Sequence, residues 1–368
     1  MRTVRRLFYA DIVSAVAFVG LAFLALFFFI DFVDELSGVG QRGYTLLHAV
    51  VYSVLLAPGH LYELLPLAVL IGTIYALARL AQTSQYTILR TGGLGPGRAL
   101  GLLTGLALAF GALTFVVGDY LAPMSESFAS NLRAGFRGGV KLERSGAWIK
   151  EHADTPAGER SYSINVASAE AGTLLRQVRI FEFDAEGRLL SRTSAAEAKV
   201  HPDGRWALSG VELTRWRDAG VDSTARQEQL ASLDWKSTLS PKVVAAAVLP
   251  VTTMSTLELW RYIDHLAENE QTAQVQKIQF WKRALYPFAC LVMIALALPF
   301  AYLSARSGGV SLKVFIGIML GVSFVLLNNV FRHLGLLGNW TPWMVAAAPG
   351  ALYLMASLAA FAWLVRNR

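Results

Sequence analysis

Apolar and polar positions divide the chain into three parts. Uncharged apolar runs alternate with short polar connections in the first third, a long polar stretch follows, and apolar runs return in the last quarter. Crossing a bilayer core of about 30 Å takes about 20 helical residues at 1.5 Å each. Runs of this kind lie near 12–30, 64–78, 99–118, 284–305, 314–331 and 344–365, which predicts six transmembrane helices in two sets of three. The second run is short, so it is expected to borrow His60 to Glu63 or the snorkelled stem of Arg79.

The polar stretch, 122 to roughly 280, carries most of the Asp, Glu, Ser and Thr and lacks a spanning run. Its middle alternates as strands do in "QVRIFEFD", with Val178 and Ile180 on one face. Turn signals follow at "DAEGR" and "HPDGR", and then the strand-like "WALSGVELTRW". Short strands punctuated by turns predict a small β-sandwich or partial jelly roll. In "STLELWRYIDHLAENE", Ser255 suits an N-cap and Leu257, Trp260, Ile263 and Leu266 recur at helical spacing. The expected divisions are 1–122 for the first three spans, 123–275 for the inserted β domain and its return helix, and 276–368 for the last three.

Composition agrees with this layout: 54% of the residues are hydrophobic and 16% charged, against roughly a quarter charged in soluble domains. Charge then sets orientation. Arg2, Arg5, Arg6, Arg79, Arg90, Arg98, Arg306, Lys313, Arg366 and Arg368 flank the spans on one side, against Arg42 and Arg332 in the short loops opposite. Both termini are therefore expected in the cytoplasm and the β domain on the far side. The first span is longer than a signal-peptide core and ends in "FIDFVDELSG" without a small-x-small site, so it reads as a permanent anchor. The one cysteine, Cys290, lies inside the fourth span, so no intramolecular disulfide braces the outer domain.

Signatures of catalysis are missing. The sequence has no phosphate loop, no His-Glu-x-x-His, no Gly-x-Ser-x-Gly and no metal-spaced Cys/His cluster. "GGLGPG" at 92–97 follows a helical pattern and precedes no Lys, so it reads as a helix stop and a turn. Asp31, Asp34, Glu35, Glu63 and Asp119 are assigned to the outer ends of their spans, which leaves no proton path through the membrane. Gly101 with Gly105, and Gly317 with Gly321, are small-xxx-small pairs that suit close helix packing within the chain or against a second membrane subunit.

Two polar features remain. The stretch "ARLAQTSQYTILRTGG" predicts a short helix over 82–92, capped by Thr83 or Ser84 and ended by Gly92 and Gly93, with Tyr86, Ile88 and Leu89 on one stripe. Such a helix either lies on the membrane surface or inserts into a partner's groove. Beyond the membrane, Arg133, Arg137, Lys141 and Arg144 follow span three, while Lys277, Lys282 and Arg283 precede span four. They suit either snorkelling among lipid headgroups or a basic rim that grips a phosphate-bearing amphiphile.

Taken together, the three-plus-three layout, "FVDEL" after span one, "ARLAQTSQYTILRTGG" after span two, "GDYLAP" with "NLRAGF" after span three, and "FWKRALYPFACLVMIALALPF" in span four resemble the LptF/LptG permease family of the lipopolysaccharide export transporter. Of its two branches, the LptG type is the nearer. The resemblance implies an inserted periplasmic domain of the β-jellyroll type in a multi-pass protein of the bacterial inner membrane. It also implies a non-catalytic subunit that extracts lipopolysaccharide and passes it to a periplasmic bridge. The implied partners are an LptF-like permease, a dimer of an LptB-like ATPase that uses the ATP and Mg, an LptC-like single-span protein and an LptA-like bridge protein. No cofactor is implied for this chain, and no nucleic acid.

By the same resemblance, Gln82, Ser84, Gln85, Tyr86, Leu89, Arg90 and Gly92 form the coupling helix that docks on the ATPase. Arg133, Arg137, Lys282 and Arg283 hold lipid phosphate. Spans one and five form lateral gates, with Phe27 and Ile30 on the first and Phe324 and Leu327 on the fifth. The sequence departs from the family where Gln85 replaces a Glu and Asp31 a basic residue. The alternatives are an LptF-type subunit, or a membrane-anchored periplasmic assembly factor that does not transport. An intramembrane lipid transferase would need carboxylates or His converging at one depth, which the sequence lacks.

Overall fold

The computed structural model describes residues 2–83, 85, 96–137, 140–141, 147–155, 158–170, 174–201, 204–217, 224–237, 239, 244, 254–268, 273–302 and 309–366. Its elements in chain order are α1 (Arg2–Leu36), α2 (Leu46–Gln82), α3 (Pro96–Val116), a π turn (Val117–Leu121) and α4 (Ala122–Arg137). Strands β1 (Val140–Lys141), β2 (Ala147–Thr155), β3 (Gly158–Glu170), β4 (Leu174–Phe183), β5 (Leu189–Val200), β6 (Arg205–Arg217) and β7 (Thr224–Lys236) follow. The chain closes with α5 (Thr256–Glu268), α6 (Gln274–Tyr302), α7 (Val310–Leu337) and α8 (Pro342–Arg366). Two compact units result: Met1–Ser37 with Ser53–Ser125 and Gln274–Arg368, and Gly38–Tyr52 with Glu126–Ala273.

Among the described residues, six helical stretches are long and apolar enough to cross a membrane: Phe8–Leu36, Leu46–Gln82, Gly97–Arg133, Gln274–Ala301, Val310–Leu337 and Pro342–Trp363. The protein is a multi-pass membrane protein. The second stretch corrects the sequence reading, because it runs for 37 residues from Leu46 instead of starting near Leu64. "LLHAVVYSVLL" is itself apolar and helical, and Pro58 and Pro66 lie inside the helix, each removing one backbone donor without ending it. His60 and Glu63 consequently sit well inside α2 rather than at its edge. Beyond the third apolar run the helix runs on through the π turn and α4 to Arg137.

Glycines set the helix spacing in the first unit. A Cβ on Gly72 of α2 would lie 2.6 Å from the backbone nitrogen of Val16 on α1, and one on Gly111 of α3 would lie 2.9 Å from the Pro287 carbonyl of α6. Gly317 and Gly321 of α7 pack on Ile74 and Leu67 of α2, so this pair serves packing within the chain. Gly101 faces open space and Gly105 meets only the Tyr9 hydroxyl. The core draws Phe8 and Ile12 from α1, Leu70, Ile74 and Leu77 from α2, Leu103 from α3, and Cys290, Met293 and Ala297 from α6. α1, α7 and α8 leave large apolar side chains bare, among them Phe18, Leu21, Phe315, Met319 and Met355.

In the second unit, all strand pairings are antiparallel and run in chain order from β3 to β7, with β1 and β2 end to end along the free edge of β3. The domain is one seven-stranded meander that encloses its own core, not two stacked sheets. Two devices roll it up. The first is a crease: inward rows Ile164, Ile180, Thr193, Leu213 and Val166, Val178, Ala195, Val211 are followed by Leu175, Ala198, Leu208, Leu233. Between these rows the pairing skips Ala167, Gln177, Ala196, Gly210 and Ala231.

A slip of one residue would turn a lone strand inside out. Here five neighbouring strands slip together, so the apolar face stays inside while the strands bend. Gln177 and Gly210 take φ of 52° and 63° there, and a Cβ on Gly210 would come within 3.1 Å of the Ala196 Cβ. The second device is contact across the roll. The rings of Tyr162 on β3 and Trp235 on β7 lie 5.6 Å apart, although four strand steps of about 4.8 Å would separate them on a flat sheet. Ser237 donates to Glu151 at 2.7 Å across the same closure. Burial there, followed by the charge of Glu182, raises the Tyr162 phenol above its ordinary pKa, against the pull of Arg160.

Both expected turns are present. The Asp184 carboxylate accepts from the Arg188 N–H at 2.7 Å with Gly187 at φ 78°, and Gly204 turns at φ 80°. Ser255 caps α5 reciprocally with Glu258: the Ser255 N–H donates to Glu258 at 2.9 Å and the Glu258 N–H to Ser255 Oγ at 3.3 Å. The buried stripe of α5 is Leu259, Ile263 and Leu266, whereas Leu257 and Trp260 face outward.

Gly72→Val is expected to lower the thermal midpoint of the detergent-purified chain by several degrees, since overpacking against backbone costs about 1–3 kcal/mol. Gly101→Ala should leave it unchanged, and differential scanning fluorimetry of the two variants compares them directly.

Candidate functional site

Placement of the expected site residues begins with α1 and α2. Asp31 and His60 meet at 2.7 Å between Oδ2 and Nε2, and both side chains are largely buried, at 17% and 23% exposure. Phe27, one turn before Asp31, lies with its ring centroid 4.8 Å from that of His60. Ile30, next to Asp31, remains exposed. Asp31 is thus not a bare acid at the position where a base was expected: it is engaged by an imidazole that sequence spacing, at 29 residues, gave no means of finding.

On α6 the two expected phosphate ligands part ways. Arg283 donates to the Gly118 carbonyl at 3.2 Å and lies 5.9 Å from the centre of the Tyr62 ring. The reason lies in "GDYLAP". In the π turn the Ala122 N–H bonds Val117, and the next residue, Pro123, has no N–H to offer Gly118. Arg283 supplies the missing donor from α6. A side chain on Gly118 would strike the Tyr62 ring, so this glycine also makes room for the joint. Tyr286 adds a 2.6 Å bond to the Glu63 carbonyl.

Lys282, one residue earlier, lines a groove of about 190 Å³ with Phe324, Asn328 and Leu354 among α6, α7 and α8. The structure therefore brings the expected phosphate ligand Lys282 and the expected gate residue Phe324 into one groove. Phe324 is buried and packs edge-on to Tyr353 at 5.2 Å, and Leu327 is half-buried.

In the second unit, Arg133 of α4 donates to the Tyr52 hydroxyl at 3.1 Å, and its guanidinium lies 5.3 Å from the centre of that ring. One turn beyond Arg133, the Phe136 ring closes a cluster with Tyr44 and His48 at 5.4 and 4.4 Å. This holds a half-exposed guanidinium in a fixed direction, and its planar fork of donors matches phosphate. Arg137 is the last residue of α4. Tyr52 carries no sequence signal of its own; only the fold pairs it with a residue 81 positions away.

At the other end of α2, Gln82 is the last helical residue, Thr83 bonds back to the Arg79 carbonyl at 3.0 Å, and Gln85 is exposed. Ser84, Tyr86, Leu89, Arg90 and Gly92 lie outside the described residues. The site's chemistry is that of binding: fixed cations, aromatic faces and apolar grooves.

Comparison with known proteins now decides the family. The profile described as lipopolysaccharide export system permease LptF/LptG matches residues 6–364. The chain belongs to the LptF/LptG permease family. Within it, the lipopolysaccharide export system permease protein LptG of Escherichia coli K12 is 27% identical over 342 residues, covering 92% of this chain and 91% of the relative. The LptG protein of Haemophilus influenzae is 26% identical over 330 residues, covering 89% and 88%. The family match spans both sets of membrane helices and the β domain between them.

In a double-mutant cycle on thermal stability, Asp31→Ala and His60→Ala should each destabilise this permease. Their coupling energy should be about 1 kcal/mol or more, as for hydrogen bonds to charged groups. Additive losses would show that the pair contributes nothing beyond its separate contacts.

Proposed function

We propose that this chain is an LptG-type permease subunit of an ATP-driven transporter. It draws lipopolysaccharide from the outer leaflet of the inner membrane and hands it to a periplasmic bridge. The observation that carries the reading is the family match across 6–364, which includes the membrane helices and the inserted domain together. The LptG names of its relatives support the same assignment.

In this reading both termini and residues 82–92 face the cytoplasm, and the rolled sheet lies in the periplasm, as the Lys and Arg bias of the short loops requires. A second permease of the LptF type completes the cavity between α1 and α7 of each subunit. An LptB-like ATPase dimer docks on the 82–92 segment and uses ATP and Mg²⁺, while this chain binds no cofactor. LptC-like and LptA-like proteins receive the lipid beyond the membrane. Arg133 and Lys282 are the cations assigned to substrate phosphate, while Arg283 is committed at least in part to the Gly118 joint.

An outside motor follows from energetics. Each methylene withdrawn from the acyl region costs about 0.8 kcal/mol, so lifting several chains far exceeds what binding to side chains alone returns. The coupling segment carries the motor's movement to the helices, and contraction of the cavity expels the lipid.

Tagged chain at native expression level should retain an ABC ATPase and a second six-span permease through purification, read by mass spectrometry. The Tyr86→Asp/Leu89→Asp variant should keep the permease and lose the ATPase. A chain recovered alone would return the function to an anchored assembly factor, and equal ATPase in both forms would move the docking surface elsewhere.

A further inference from the structure

A second cavity, of about 440 Å³, opens among α1, α2 and α7, away from the groove at Lys282. Its wall is graded along the helix axes. Asp11 and Ser14 of α1 and Arg79 and Tyr75 of α2 lie toward one end, and Phe18 of α1 and Ile71 of α2 lie toward the other. The steps from Asp11 to Phe18 and from Arg79 to Ile71 are each about two helical turns, roughly 10–12 Å along the axis. A polar mouth thus leads to an apolar floor.

Two charges of opposite sign line the same cavity, and neither side chain has an ion-pair or hydrogen-bond partner among the described residues. An apolar filler would engage neither charge and would leave both to interfacial water. An anionic lipid would satisfy Arg79 and repel Asp11. A zwitterionic headgroup satisfies both: the Arg79 fork takes the phosphate, and Asp11 accepts from a primary ammonium. The volume falls within the range of cavities that hold small amphiphilic ligands.

We infer that this cleft binds a phospholipid with a primary-amine headgroup, phosphatidylethanolamine in chemistry, drawn from the leaflet at the N-terminal end of α1. That is the cytoplasmic leaflet under the proposed orientation, opposite to the leaflet from which the transported lipid is taken. The bound lipid wedges α1 against α2 and α7 at the base of the cavity and leaves with any movement that closes them together. The inference rests on the proposed orientation only for naming the leaflet.

The test uses the full-length chain, as purified, in nanodiscs of phosphatidylethanolamine and phosphatidylglycerol. A trace of either lipid carries a diazirine in its acyl chain, and adducts are mapped on peptides after irradiation. The ethanolamine probe should label the peptides bearing Phe18 and Ile71 at least five times more than the glycerol probe. Asp11→Asn/Arg79→Gln should remove that preference while labelling at exposed Met355 of α8 stays unchanged, which also reports that the fold is intact. Equal labelling by both probes, or a preference that survives in the variant, would overturn the inference as ordinary annular lipid. No label in the cleft while Met355 is labelled would overturn it in favour of a protein neighbour filling the space. None of these readouts depends on ATPase retention, so failure here and failure of the transport reading are separable.

Discussion

Within a bilayer core the main chain has no water to turn to, so each carbonyl and amide must find its partner inside the protein. Much of the local chemistry of this chain answers that requirement. Pro58, Pro66, Pro287, Pro299 and Pro349 lie inside three of the spanning helices, and each deprives a carbonyl of its donor. Pro58 leaves the Val54 carbonyl without its helical donor, and on the next residue Ser125 of α4 adds a hydroxyl donor to the Leu55 carbonyl. The same logic produces the most structured joint in the membrane unit. Pro123 leaves the Gly118 carbonyl orphaned, and Arg283 answers from another helix. A backbone defect written in five residues fixes α3 to α6, and with them the position of Lys282.

The β domain meets the same demand by other means. In a meander each interior strand is paired on both sides, and rolling leaves only β7 and the β1–β2 edge unpaired within the sheet. A flat sheet of this width would bare one whole apolar face, and no disulfide is available to fold it over. Coordinated slippage at Gln177, Ala196 and Gly210 supplies the bend instead, and Tyr162, Trp206 and Trp235 fill the closure. The small residues at 167, 196, 210 and 231 are the trace of that crease in the sequence.

Elements with one dominant signal were legible from sequence. Apolar length located the six spans, Gly-bearing turns located two hairpins, and Ser255 located the α5 cap. What escaped was whatever two signals disputed. The second apolar run was read only from Leu64, with His60 to Glu63 borrowed, yet the helix continues back through these residues and Pro58 to Leu46, so α2 came out about half its true length. Alternation in "QVRIFEFD" was clear, but a slip shared by five strands is invisible in any one of them and appears only when the rows are aligned. The inserted β domain is present as expected, and what the strand pattern left open is that it is one creased sheet rolled on itself. Pairings such as Asp31 with His60 and Arg133 with Tyr52 depend on which helix faces meet, and α1 and α2 are too uniformly apolar for their faces to be read from period alone.

The distribution of small residues bears on how the proposed gate would work. Between helices in lipid there is little hydrophobic gain from association, so tight and lasting seams need small residues that let backbones approach. This chain spends such residues internally: Gly72 on α1, Gly111 on α6, and Gly317 and Gly321 on α2. The bare faces of α1 and α7 instead present Phe18, Leu21, Phe29, Phe315, Met319 and Leu326. Side chains of that size hold neighbouring backbones apart and repack at little cost, so a seam built from them is loose and separable. A lateral opening between two such faces therefore needs no glycine contact to be broken, while under the proposed coupling the internal seams would carry movement as a unit from the α2 end nearest Gln82 towards α6 and α7. The sequence thus encodes a stiff interior and yielding flanks in its choice of which helix faces receive glycine.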